Sequence, residues 1–173
     1  MRIFKDAASA ADILKRGRFD DASRAAAVRE IVQAVKVHGD EALFAYCEKF
    51  DGSALNAQTV AVSAEEIAAA YKEVDEKLLT SLKKAVKNVY EYHARSLMKE
   101  DVRTVNGRTT GYAVRPVQRA GIYVPGGTAP LVSSVLMGVL PAKAAGVAEI
   151  YVCTPAKNGK VSPAVIVAAA ECR

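Results

Sequence analysis

The residues best suited to chemistry form a glycine-rich turn, Tyr123–Gly127, that ends a short apolar run. A second proline, Pro130, then opens an apolar segment long enough for a helix. A strand, a tight turn and a helix start in this order are typical of a cradle for a nucleotide or another anion. The first backbone N–H groups of a helix are unpaired, and the helix dipole is positive at that end. This turn is therefore the first candidate binding site.

The spacing of the turn does not by itself specify a dinucleotide. The pattern is not G-x-G-x-x-G, and no acidic residue lies about 20 positions further on to bind a ribose. A strand end also favours an aromatic residue such as Tyr123 for packing alone. Turn geometry alone could also explain Gly126 and Gly127, because glycine adopts positive φ readily. A phosphate site is a weaker interpretation, because the turn contains no Lys or Arg.

Residues that could bind a metal or transfer protons are sparse in this chain. The two histidines, His38 and His93, have no second His or suitably spaced carboxylate beside them, so we predict structural roles for both. Cys47, Cys153 and Cys172 are far apart and form no C-x-x-C pair, which predicts reduced, mostly buried thiols. The sequence therefore predicts no zinc site and no catalytic residue.

Composition sets the class of protein. The chain has 173 residues, 51% of them hydrophobic, and a net charge of +5. No apolar run reaches the 18 or so residues of a membrane span, and the N-terminus lacks the apolar core of a signal peptide. Basic residues never exceed two in a row, so nucleic acid is not an expected partner. We expect a cytoplasmic globular protein that binds neither membrane nor nucleic acid.

Charge density divides the chain near Arg119. Beyond that point only a few charged residues occur: Lys143, Glu149, Lys157, Lys160, Glu171 and Arg173. The pattern predicts a helix-rich domain with a small β element over residues 1–118. Residues 119–173 are predicted to be the first part of a Rossmann-like nucleotide-binding domain.

Hydrophobic periodicity and capping residues predict the elements of the first part. Asp20-Asp21 can cap a helix that runs to about His38, with Gly39 at its C′ position, and a second helix is expected at 40–50. Ser63-Ala64-Glu65-Glu66 fits a capping box that opens a helix at 64–71, and a longer helix is expected at about 78–97, with a break near Asp75. A short strand is expected at Thr59–Val62. Asn106-Gly107, a strong hairpin signal, separates two β-prone arms at 102–105 and 108–114.

The second part alternates strands and helices. Strands are expected at Gly121–Val124 and Glu149–Thr154, and helices at Pro130–Ala145 and from Pro163 onward. This βαβα order predicts an α/β fold with parallel strands. Because a two-stranded parallel sheet is a poor free-standing core, we expect the chain to be part of a longer protein.

Several segments together resemble the histidinol dehydrogenase family. The most specific are G-I-Y-V-P-G-G-T-A-P at 121–130, S-S-V-L-M at 133–137 and P-A-x-x-A-G-V at 141–147. Earlier segments at 37–43, 49–51, 62–67 and 114–117 are also similar to that family, so the resemblance covers nearly the whole chain.

The resemblance implies an NAD-dependent enzyme that oxidises L-histidinol through histidinaldehyde to L-histidine, with zinc orienting the substrate. It implies a homodimer acting in histidine biosynthesis, and a contact between NAD and Tyr123, with Pro125, Gly126 and Gly127 beside it. The family's zinc ligands and acid–base pair do not map onto this chain. We therefore expect the N-terminal part of the enzyme, inactive on its own and without zinc. The alternative is a small non-catalytic module that binds a nucleotide, an anion or another protein.

Overall fold

The structure, a computed structural model, describes residues 22–126, 130–156 and 159–173. It divides into two compact units, residues 1–43 and 44–173. Helix α1 (Ala22–His38) belongs to the first unit, and helix α2 (Asp40–Asp51) begins in the first and continues into the second. Gly39 separates the two helices with a φ of +58°, as its predicted role at the end of α1 requires. The predicted cap at Asp20 and Asp21 lies outside the described residues.

Local hydrogen bonds set the starts of the next two helices, α3 (Ala64–Glu73) and α4 (Glu76–Arg95). The predicted capping box is confirmed, because Ser63 Oγ accepts the Glu66 N–H and Glu66 Oε2 accepts the Ser63 N–H. Asp75 caps α4 by accepting the Leu78 N–H at 2.8 Å. The predicted break between the two helices therefore falls where a new cap begins.

The short strand predicted at Thr59–Val62 is wrong. Asn56 Oδ1 accepts the N–H groups of Gln58 and Thr59, and the Asn56 carbonyl accepts the N–H of Val60. These local bonds close a turn and use the backbone donors that a strand would direct to a partner.

The predicted hairpin is confirmed. Strands β1 (Asp101–Val105) and β2 (Arg108–Tyr112) pair antiparallel, with Val105 opposite Arg108. Asn106 and Gly107 both have positive φ, +51° and +72°, as a two-residue type I′ turn requires.

The second part forms the predicted βαβα unit. Its elements are β3 (Arg119–Tyr123), α5 (Val132–Ala144), β4 (Glu149–Cys153) and α6 (Pro163–Glu171). The strands pair in parallel from Arg119 opposite Glu149 to Tyr123 opposite Cys153. Helix α5 continues through Pro141 to Ala144, and Gly146 follows with a φ of +85°. The α/β class with a helical N-terminal part and a hairpin is therefore confirmed.

The hydrophobic core lies on one face of the β3–β4 sheet. Helix α5 packs on both strands, α4 and α6 pack against α5, and α3 packs against α6. Its buried members are Ala70, Leu82, Val124, Val135, Leu136, Val139, Leu140, Val165, Val167, Ala168 and Cys172. Residues of 64–95 thus share a core with residues of 119–173, while the predicted domain boundary near 118 stays a prediction.

Candidate functional site

The glycine-rich turn is anchored to the sheet through Val124. Its N–H donates to the Cys153 carbonyl at 2.8 Å, one position beyond the end of β3, and its side chain is fully buried. This extends the parallel ladder by one bond and places the start of the turn beside the carboxyl end of β4. In α/β sheets, ligands bind outside the carboxyl ends of the parallel strands.

Tyr123 lies on the opposite face of the sheet from the core. Its side chain is 68% exposed, and the residue paired with it, Cys153, is exposed as well. A tyrosine packed against a helix would be largely buried, so packing alone does not account for Tyr123. The ring is instead available as a flat, amphipathic surface at the mouth of the turn.

Gly126 is required by a close approach of two loops. A Cβ at this position would lie 2.5 Å from Pro155 Cγ, closer than packed atoms allow. Gly126 does not have a positive φ, so the turn-geometry interpretation is wrong for this residue. Pro125 and Gly126 are both exposed on their outer side, and Gly127 lies outside the described residues.

A second close approach fixes α5 against β3. A Cβ on Gly138 would lie 2.4 Å from Ile122 Cγ2, so the helix packs on the strand at a distance that only glycine allows. This contact positions the helix that follows the turn. No sequence pattern indicated a role for Gly138, which depends on its contact with Ile122.

Ser53, which sequence analysis did not single out, positions the loop after β4. It is 2% exposed, and its hydroxyl donates to the Ala156 carbonyl at 3.1 Å. The loop that contacts Gly126 is therefore tied to the segment after α2. The two residues are 103 positions apart, so no local pattern could have indicated the bond.

Charged side chains cluster at the opposite end of the sheet. Arg119 Nε lies 3.2 Å from a Glu149 carboxylate oxygen, and Tyr151 Oη donates to the same carboxylate at 2.8 Å. That hydrogen bond raises the pKa of Tyr151 above its ordinary value. The described part of the turn, Tyr123–Gly126, carries no charged side chain. The turn therefore offers aromatic and backbone contacts and no acid–base group.

The described residues do not fit a zinc site. Nowhere in 22–126, 130–156 and 159–173 do three His, Cys, Asp or Glu side chains come together as a metal would require. His38 ends α1, and His93 lies in the last turn of α4 with its ring edge-on to Tyr92. The three cysteines are free, but only Cys172 is buried, so the expectation of mostly buried thiols is wrong.

Comparison with known proteins supports the family resemblance over nearly the whole chain. The family model for histidinol dehydrogenase matches residues 14–173. Histidinol dehydrogenase of Desulfotalea psychrophila is 43% identical over 164 residues, which cover 92% of this chain and 38% of that protein. The enzyme of Streptococcus mutans is 47% identical over 146 residues, 83% of this chain and 33% of that protein.

Solved structures agree with the sequence comparison. The crystal structure of histidinol dehydrogenase from Elizabethkingia anophelis superposes with a TM-score of 0.78 at 30% identity, covering 99% of this chain and 36% of that chain. This α/β chain therefore has the fold of the N-terminal part of a histidinol dehydrogenase. The chain belongs to the histidinol dehydrogenase family. It spans between a third and two fifths of the length of these relatives.

The part of the chain that the structure describes contains no helix long and apolar enough to cross a bilayer.

Proposed function

We propose that this chain is the N-terminal part of an NAD-dependent histidinol dehydrogenase and that it supplies one side of the NAD site. The whole enzyme would oxidise L-histidinol to L-histidine through histidinaldehyde in histidine biosynthesis. The observation that carries the proposal is the exposed Tyr123 at the carboxyl end of a parallel strand, in a chain matched to the family over residues 14–173.

In this proposal Tyr123, Pro125, Gly126 and Gly127 form the cofactor-binding surface. When bound, NAD would accept a hydride from the substrate carbon. Tyr123 contributes its exposed ring and hydroxyl, and Gly126 lets the turn lie against the loop at Pro155. The contact through Val124 holds both in place, so the surface needs little rearrangement to bind.

The proposal assigns no catalytic or zinc-binding residue to this chain. Substrate binding, zinc binding and proton transfer would depend on residues outside this chain, in a longer protein like the relatives it matches. The chain alone is then expected to be inactive toward L-histidinol. Assembly of the whole enzyme as a cytoplasmic homodimer is part of the same proposal and follows from the family resemblance.

Calorimetric titration of the folded chain with NAD tests the binding half of the proposal. We expect weak binding that is lost in Tyr123→Ala and retained in Tyr92→Ala. Tyr92 is the matched control, because it is 69% exposed against 68% for Tyr123 but lies on α4. Absence of binding by a chain shown to be folded, or equal loss in both variants, would contradict a preformed surface at Tyr123.

A parallel assay tests the catalytic half. Incubation of the chain with L-histidinol, NAD and zinc should produce no NADH above the blank. Turnover by the purified chain would show that catalytic groups are present within these 173 residues and would overturn the assignment.

A further inference from the structure

Among the residues that the structure describes, Ser53 is the one buried polar side chain. It follows α2, where the Gly52 N–H donates to the Glu48 carbonyl at 3.1 Å and the Ser53 N–H donates to the Cys47 carbonyl at 3.4 Å. Gly52 turns the chain at this point with a φ of +64°. These bonds fix the backbone of Ser53 to the end of α2, so the position of its hydroxyl is set by that helix.

The Ser53 hydroxyl has one proton to donate and two carbonyl oxygens nearby. The Ala156 carbonyl lies at 3.1 Å and the Asp51 carbonyl at 3.4 Å, so the shorter contact joins the end of α2 to the loop after β4. A partly buried carbonyl that loses its donor either stays unpaired, which costs free energy, or moves toward water. Removal of the hydroxyl should therefore displace the loop at Ala156.

The same loop lies against Gly126 in the glycine-rich turn. A Cβ on Gly126 would lie 2.5 Å from Pro155 Cγ and 3.4 Å from Pro155 Cδ, so the proline ring rests directly on this residue. Pro155 and Ala156 are joined by one rigid peptide plane, so a shift of the Ala156 carbonyl also moves the ring. The bond from the Val124 N–H to the Cys153 carbonyl holds the start of the turn to the sheet. The position of Gly126 therefore depends on both supports, the sheet and the loop.

We propose that Ser53 is a positioning residue of the cofactor surface, and that it holds Gly126 in place for NAD through Ala156 and Pro155. The inference rests on the proposed NAD site and adds to it a residue that acts on the turn through the loop. A surface that is already held in its binding position loses less conformational freedom when the ligand binds. Loss of the Ser53 hydroxyl should therefore weaken NAD binding by about three- to tenfold, the effect of one hydrogen bond.

Titration of the chain with NAD, followed by the amide chemical shift of Tyr123, tests the inference. We expect Ser53→Ala to weaken binding and Tyr71→Phe to leave it unchanged. Tyr71→Phe is the matched control, because it also removes a hydroxyl that joins distant segments, in this case by donating to Glu171 at 2.7 Å. A general loss of stability would affect both variants. In the absence of NAD, Ser53→Ala should shift the amide of Gly126, and Tyr71→Phe should not.

A double variant tests whether Ser53 acts through the loop. If it does, adding Ser53→Ala to Pro155→Ala should not weaken NAD binding further. Additive losses, or equal binding by Ser53→Ala and the wild type, would overturn the inference and leave the proposed NAD site standing. Absence of NAD binding by the folded wild-type chain would instead contradict the proposed function, and this inference with it.

Discussion

The described residues contain two small sheets, each of two five-residue strands, that are held in contrasting ways. The β1–β2 hairpin has only Asp101 partly buried, and its other nine residues are exposed. The β3–β4 pair rests on the hydrophobic core of the chain through Ile122, Ile150 and Val152. The hairpin is specified by its own turn, whereas the parallel pair depends on helices distant in sequence.

This contrast explains where the candidate site lies. Parallel strands need a crossover between them, and the crossover helix α5 covers one face of this pair. Tyr123 and Cys153 are exposed on the other face. The turn at Tyr123 lies where one strand enters that crossover, against a rigid and buried support. The hairpin has no such support, and a two-stranded hairpin alone is only marginally stable.

The largest expected effect comes from truncating the support of the parallel pair. Leu140 on α5 is 1% exposed, so Leu140→Ala should lower the free energy of unfolding by about 2–5 kcal/mol. Val105→Ala on the hairpin, where the side chain is 64% exposed, should change it by less than about 0.5 kcal/mol. Urea unfolding of both variants measures the difference. Similar losses of unfolding free energy in the two variants would contradict the claim that the core supports the parallel pair and not the hairpin.

A smaller, local effect is expected at the hairpin turn. Gly107 has a φ of +72°, and an L side chain in that region costs about 1–2 kcal/mol. Gly107→Ala should speed amide hydrogen exchange in β1 and β2 and leave exchange in β3 and β4 unchanged. Faster exchange in both sheets would mean that the hairpin and the core unfold as one unit.

The smallest expected effect is the change of folding stability with pH that comes from the contact between α3 and α6. The Tyr71 hydroxyl donates to Glu171 at 2.7 Å, and burial together with this bond raises the pKa of Tyr71 from 10.0 to about 12. A raised pKa stabilises the fold below pH 10, and that contribution disappears as the pH rises to about 12. Burial also raises the pKa of Cys172, from 9.0 to about 11, so stability should begin to fall near pH 9.

Tyr71→Phe separates the contribution of Tyr71 to the pH dependence from that of Cys172. The variant should be less stable than the wild type at neutral pH but should lose less stability between pH 10 and 12. Urea unfolding at several alkaline pH values is the measurement. Parallel pH curves for the two proteins would show that Tyr71 does not titrate differently in the folded state.

Sequence patterns predicted those parts of the fold that local chemistry determines. Asn106-Gly107 specified the hairpin, Ser63 and Glu66 specified a capping box, and the position of Pro163 specified the start of α6. The failure at Thr59–Val62 has the same origin, since β-prone residues do not form a strand when a nearby Asn56 closes a turn.

The site was predictable only in part. The turn and its aromatic residue could be found from residue order, and family resemblance added NAD. The role of Gly126 could not be found, because it depends on Pro155, and that of Ser53 depends on Ala156. Contacts between residues far apart in sequence leave no periodic signal. Gly127 lies outside the described residues, so its assignment stays a prediction.

The most direct test of the central claim is to map NAD binding on the chain by amide chemical shifts. The two sheets act as site and internal control in a single titration. We predict that NAD shifts the amides of Tyr123, Gly126 and Cys153 and leaves those of Arg103 and Thr110 in the hairpin unchanged. Shifts centred on the hairpin, or none at the carboxyl ends of β3 and β4, would contradict the claim that this turn is a cofactor-binding surface.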